Sequence, residues 1–228
     1  IQGMSDEETF ALTKVFIDSG DTLDLSFLNT TTVDKHSTGG IGDKTTLIIA
    51  PIVASVGIPI LKMSGRGLGP MDKKIYALRD VTGTVSSIPL IASSIMSKKI
   101  AGGTDKILID IKVGNGALLQ TKEDAQKLSD LVIKIGDIYQ KEVHTIISDM
   151  NTPLGYCIGN SLEVMEAIKI LKGEEKDNNL TQLCLELASE MICMAKGVSK
   201  ANAIDMVRET IESGNAYQKF LELVEAQH

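Results

Sequence analysis

Val33-Asp34-Lys35-His36-Ser37-Thr38-Gly39-Gly40-Ile41-Gly42-Asp43-Lys44-Thr45-Thr46 is the stretch whose reading decides the fold. Thr32 and Val33 read as the end of a strand and Leu47-Ile48-Ile49-Ala50 as the body of a helix, so the residues between them form a strand-to-helix turn. That turn holds Lys35, His36, three glycines and the hydroxyls of Ser37, Thr38, Thr45 and Thr46. The composition suits an oxyanion: glycines admit positive φ and turn N–H groups inward, Lys35 and the hydroxyls add donors, and the next helix offers its positive end. Gly-Gly-x-Gly alone would read as a plain connection; Lys35, Ser37 and Thr46 around it favour an anion site. A nucleoside-triphosphate loop is excluded, because Asp43 stands where a glycine must precede the lysine and Thr38 where the first glycine belongs.

Outward from the turn, strands alternate with helices. Ser5-Asp6-Glu7-Glu8 is a capping box opening a helix with Phe10, Ala11, Val15 and Phe16 on its buried side. A strand near 31–34 feeds the turn; residues 46–56 read as an apolar helix and 58–63 as a short buried strand. Residues 82–99 read as helical, with Pro89 near a turn, and Ile107-Leu108-Ile109-Asp110-Ile111 as a strand buried on both faces. An amphipathic helix over 122–138, a strand over 145–148 and an almost wholly helical remainder, punctuated at Gly173, Gly197 and Gly214, complete the chain. The pattern predicts an α/β fold: a central, mostly parallel sheet flanked by helices, plus a helical part. The expected divisions are 1–30 helical, 31–69 anion-binding α/β, 70–100 helical, and 101–228 α/β continuing into helices.

With 228 residues the chain can bury a sizeable core, and 43% apolar residues without tryptophan make that core aliphatic. A net charge of −7 speaks against a general nucleic-acid surface and requires any cations to be concentrated locally. No apolar run has transmembrane length, and Cys157, Cys184 and Cys193 lack CxxC spacing, which predicts reduced, packed thiols and a cytoplasmic setting.

The turn, together with Lys62-Met63-Ser64-Gly65-Arg66-Gly67-Leu68-Gly69 and Tyr76-Ala77-Leu78-Arg79-Asp80-Val81-Thr82, resembles the thymidine and pyrimidine-nucleoside phosphorylases, nearest the bacterial pyrimidine-nucleoside branch. The likeness continues through 87–99, through Asp110-Ile111-Lys112-Val113-Gly114-Asn115-Gly116-Ala117, and from Asp149 to Glu166. The chain departs from the family at one junction: Gly69 is followed at once by Pro70-Met71-Asp72-Lys73-Lys74, where the family has a further segment carrying another phosphate-contacting threonine. Residues 1–228 thus read as a core fragment of the family pattern.

The resemblance implies reversible phosphorolysis of uridine, thymidine or deoxyuridine to free base and a pentose 1-phosphate, with inorganic phosphate as co-substrate, no organic cofactor, and a homodimer. Cations belong at both ends of such a substrate, because phosphate must be desolvated and aimed while the departing base gains negative charge. By resemblance, Lys35, His36, Ser37, Thr46, Lys62, Met63 and Ser64 are phosphate contacts, and Tyr76, Arg79, Ser94 and Lys98 hold the base. His36, Arg79 and Lys98 are the catalytic candidates, His36 as donor to the base O2. The family pattern also implies a monovalent cation, potassium, at Gly42, Lys44, Leu154, Cys157 and Glu166. Without the resemblance, Lys98-Lys99 would read equally as a solvated helix end and Arg79-Asp80 as a surface ion pair. Three other readings remain on the sequence: a phosphoribosyltransferase of related fold, which needs acidic magnesium ligands, a fragment that binds phosphate or nucleoside without turnover, and a structural or partner-binding module, which the dense polar loop favours least.

Overall fold

The computed structural model describes residues 3–62 and 69–227; Met63 and Ser64, both expected phosphate contacts, lie outside the described residues. Its centre is a parallel three-stranded sheet in the order β1 (Val33–Ser37), β2 (Lys106–Val113), β3 (Glu142–Asp149). In register, Val33 faces Lys106, Ser37 faces Asp110, and Val113 faces Asp149. The continuous apolar run of β2 is explained by its central place, with Ile107, Ile109 and Ile111 packed on one side and Leu108 on the other.

Helices cover both faces. One face carries α2 (Thr45–Ser55), α6 (Asn160–Leu171), α7 (Asn179–Lys196), α8 (Lys200–Glu212) and α9 (Asn215–Glu225) around one aliphatic core. The other carries α4 (Ile88–Ala101) and α5 (Lys122–Ile138), whose Leu128, Val132 and Ile135 repeat at helical spacing. Outside α4 lies α1 (Asp6–Asp18), which in turn contacts α3 (Pro70–Thr82). No helix among the described residues is long and apolar enough to cross a membrane.

Several expectations hold in detail. The capping box opens α1, with Glu8 N–H donating to Ser5 Oγ and Ser5 N–H to Glu8 Oε2. Helix α5 has the expected limits, and the late helices break where the glycines stand.

Other expectations need correction. The buried side of α1 is Thr9, Thr13, Phe16 and Ile17, whereas Val15 is exposed; each threonine buries its hydroxyl by donating it to the carbonyl four residues back. The first strand runs on to Ser37, because pairing with β2 outweighs the polar look of Lys35-His36-Ser37. Residues 58–62 make one isolated bridge, Ile60 to Val33, instead of a strand. The helical stretch expected at 82–99 begins only at Ile88: α3 ends at Thr82, residues 83–87 are not helical, and Pro89 lies in the first turn of α4, where a missing N–H costs nothing.

Candidate active site

The pleat of β1 sorts the site. Successive side chains on a strand point to opposite faces, so Val33 and Lys35 belong to the α2–α7 layer and Asp34 and His36 to the α4 layer. Lys35 and His36, adjacent in sequence, therefore serve different compartments at the carboxyl end of the sheet.

On the α4 side, a cavity of about 240 Å³ is lined by His36, Ser37, Tyr76, Arg79, Ser94 and Lys98, with Ile91, Ile95 and Leu118 as apolar wall. All four expected base contacts meet here. Helix α4 presents Ser94 and Lys98 one turn apart, and Lys98 Nζ donates to Ser94 Oγ (2.7 Å) and to Asp72 Oδ2 (2.7 Å) from α3. Arg79 is buried, donates to the Val85 carbonyl, and lies 4.9 Å from the centroid of the Tyr76 ring, a cation–π arrangement. Its neighbour Asp80 is exposed, so Arg79-Asp80 is no surface pair. Nor is Lys98-Lys99 a solvated helix end: Lys98 is buried, and Lys99 is wholly buried and ion-paired to Asp34 (2.6 Å).

Electrostatics in this cavity follow from burial. Removal from water lowers the pKa of Lys98 against the raising effect of Asp72, and lowers that of Arg79 likewise. His36 is held well below 6.5, first by burial and then by Lys99, Lys62, Lys98 and Lys35. It is accordingly a neutral imidazole at pH 7, a hydrogen-bond donor through one nitrogen instead of a source of imidazolium protons. Among the described residues, its buried Nδ1 and the Arg79 Nε have no hydrogen-bond partner.

On the other side of β1, Lys35 Nζ donates to Thr45 Oγ1 (2.5 Å) and sits 4.0 Å from Asp43 and 3.9 Å from Asp110. Asp110 also pairs with the fully buried Lys112 (2.7 Å) and accepts from Ser148 (2.5 Å). Lys62 Nζ donates to the Lys35 carbonyl (2.9 Å), and its ammonium is pushed down to about 8, first by removal from water and then by Lys99. Of the expected phosphate contacts, Lys35 and Lys62 lie together. Ser37 accepts the Gly39 N–H (3.1 Å) and lines the α4-side cavity with His36. Thr46 is not brought to Lys35; Thr45 takes that place, and Thr46 lines a separate groove with Asn160 and Glu163.

The five residues expected around potassium do converge. Gly42, at φ +75°, lies so close to the Leu154 carbonyl that a Cβ would stand 2.5 Å from it. Glu166 accepts N–H groups from Tyr156 (2.7 Å) and Cys157 (3.2 Å), with Gly155 beneath its carboxylate. Burial raises the Glu166 pKa, but these donors and Lys44 outweigh it and hold it below its ordinary value. Lys44 Nζ itself contacts Glu166 Oε2 (2.6 Å) and donates to the Cys157 carbonyl. An ammonium thus stands where the ion was expected, and the residues present do not fit a potassium ion beside it.

Sequence reasoning missed Asp72, which holds Lys98, and Thr45, Asp43, Asp110 and Lys112 around Lys35. A signal existed for Asp72, which stands in the first turn of a helix opened by Pro70 and is buried beside exposed Lys73 and Lys74. A larger cavity of about 480 Å³, lined by Lys172, Lys176 and Arg208 among others, lies between α6, α7 and α8 and holds none of the expected site residues.

The family described as "Glycosyl transferase family, a/b domain" matches residues 29–70 and 68–217. The chain belongs to this glycosyl transferase family. The pyrimidine-nucleoside phosphorylase of Staphylococcus haemolyticus strain JCSC1435 is 46% identical over 273 residues, covering 99% of this chain and 62% of that protein. That of Bacillus subtilis strain 168 is 44% identical over the same span and coverage. The chain therefore spans less than two thirds of the length of these relatives. The 273 matched positions exceed the 228 residues present, and the family match breaks at 68–70, where the sequence lacks its expected segment. Among solved structures, anthranilate phosphoribosyltransferase (TrpD) from Thermus thermophilus superposes with a TM-score of 0.63 at 13% identity, covering 98% of this chain and 85% of that one. That likeness concerns the α/β fold alone.

Proposed function

We propose that this chain carries out phosphorolysis of pyrimidine nucleosides, with phosphate bound on the Lys35 side of β1 and the base in the α4-side cavity. The observation that carries this reading is the meeting of Tyr76, Arg79, Ser94 and Lys98 with His36 in one cavity at the carboxyl end of β1. A phosphate oxygen forms a bond to the anomeric carbon as the glycosidic carbon–nitrogen bond breaks, and the electron pair passes to the base. Arg79 and Lys98, desolvated and aimed before the reaction, neutralise charge where it develops on the ring oxygens. Neutral His36 donates a hydrogen bond to the base O2, and Tyr76 packs against the ring. Lys35 and Lys62 offset the charge of phosphate. We assign uridine, thymidine and deoxyuridine as substrates, a cytoplasmic setting and a homodimer by the same reading.

The break at 68–70 supports a second reading, a fragment that binds nucleoside without turnover. Release of free uracil or thymine on adding phosphate, followed by absorbance, decides between them. Base release only with phosphate is expected; nucleoside binding with no release in any phosphate concentration would leave the second reading standing.

A further inference from the structure

We propose that the Lys44 ammonium is a built-in monovalent cation, filling the position between Glu166, the Cys157 carbonyl and the Gly42 loop. Two stretches distant in sequence meet there: the glycine turn, and the 153–157 turn with the helix α6 that follows it. The two charged side chains are almost wholly covered, at 1% and 3% exposure, so the pair is not a surface salt bridge that water would screen. The anion is rigidly held, since Glu166 accepts Tyr156 and Cys157 N–H groups and rests on Gly155, where a Cβ would meet its oxygens at 2.6 Å. The carbonyls are equally fixed: that of Leu154 packs on Gly42, that of Gly42 accepts the Lys44 N–H (2.8 Å), and that of Ile41 accepts the Leu154 N–H (3.0 Å).

A carboxylate and a carbonyl converging in a covered site, with further carbonyls packed around it, suit a weakly hydrated monovalent cation, and a primary ammonium has the same charge with three donors to satisfy. Tethered to the chain, it arrives with no binding equilibrium, and a second cation would meet its charge without intervening water. The order of the glycine turn should then be independent of the potassium concentration.

The test measures thermal unfolding of the full chain in potassium, ammonium, sodium or choline chloride at one ionic strength. It does not depend on activity, so its failure is distinct from failure of the phosphorolysis reading. The wild-type midpoint should agree within about 1 °C in all four salts. Lys44→Ala leaves the carboxylate uncompensated beside a hole; its midpoint should fall by roughly 10 °C in choline and recover saturably in potassium or ammonium. Lys44→Met fills the hole without charge and should fall without recovery. A saturable rise of the wild-type midpoint with potassium over choline would overturn the proposal, as would a folded Lys44→Ala protein equally stable in all salts. Should Lys44→Ala fold in none of them, the wild-type comparison alone decides by the same criterion.

Discussion

Replacing Lys98 by methionine removes one charge and keeps most of the stem. In the structure that charge is buried and held at 2.7 Å by both Asp72 and Ser94. Two losses follow, and they are separable. Leaving Asp72 buried without its partner should cost about 3–5 kcal/mol of folding stability, a fall of roughly 6–20 °C in Tm for a chain of this size. Removing a pre-aimed cation from the departing base should cost about 10²–10³-fold in kcat, with kcat/KM falling in parallel. The double variant Lys98→Met/Asp72→Leu removes both charges, so its Tm should return toward that of the parent while kcat stays low. Base release from uridine and from 5-fluorouridine, whose base leaves more readily, supplies the second axis. Both variants should lose less on the fluorinated substrate. Recovery of kcat in the double variant, or equal losses on the two substrates, would show that Lys98 only supports the fold, and the base-side assignment would fall with it.

Lys35→Ala should raise KM for phosphate at least tenfold while leaving KM for the nucleoside nearly unchanged, since its ammonium sits across β1 from the base cavity; steady-state kinetics with each substrate varied in turn checks this. Lys62, with its pKa pushed down to about 8, loses its charge as pH rises through that value, so phosphate affinity should weaken above pH 8 and Lys62→Met should remove that limb. His36 stays neutral when folded but takes up a proton near 6.5 when unfolded, so stability should be full above pH 6.5 and fall as pH drops below it. His36→Gln should flatten that acid limb in chemical denaturation between pH 4 and 7, and an unchanged limb would place the acid sensitivity elsewhere.

What the sequence made legible was local. Ser5 to Glu8, the 122–138 helix and the Ile107–Ile111 run carry capping, period and length signals that need no tertiary context, and the structure follows them. The residues meeting in the α4-side cavity are legible as well, because Tyr76, Arg79, Ser94 and Lys98 fall inside motifs of a recognisable family. What stayed hidden depended on partners far along the chain. Lys35-His36-Ser37 looks like loop because its polarity hides a strand whose ladder is supplied by β2. Thr9 and Thr13 look like surface because their hydroxyls are satisfied inside their own helix. Thr45 displaces Thr46 beside Lys35 by one residue of helix rotation, which no turn motif fixes. Resemblance groups Lys44 with Cys157 and Glu166, but only the structure shows its own ammonium on the Glu166 carboxylate and the Cys157 carbonyl.

An acidic chain that must hold a cationic site faces a conflict between keeping lysines charged and keeping them out of water. The fold resolves it by giving each buried lysine a carboxylate, but the pairings are unequal. Lys98 with Asp72, Lys99 with Asp34, Lys44 with Glu166 and Lys112 with Asp110 all lie at 2.6 to 2.7 Å. Lys35 stands at 3.9 and 4.0 Å from its two carboxylates and is held at hydrogen-bond distance by the neutral hydroxyl of Thr45. An incoming anion that takes Lys35 gives up a hydroxyl contact and two distant attractions, whereas one that takes Lys99 or Lys112 must break a direct buried ion pair. The difference in Coulomb energy between 2.7 and 4.0 Å is large in a site shielded from water. Lys35 is therefore the lysine of this group that can turn toward an anion at least cost, and the strand that carries it turns its neighbour His36 into the α4-side cavity.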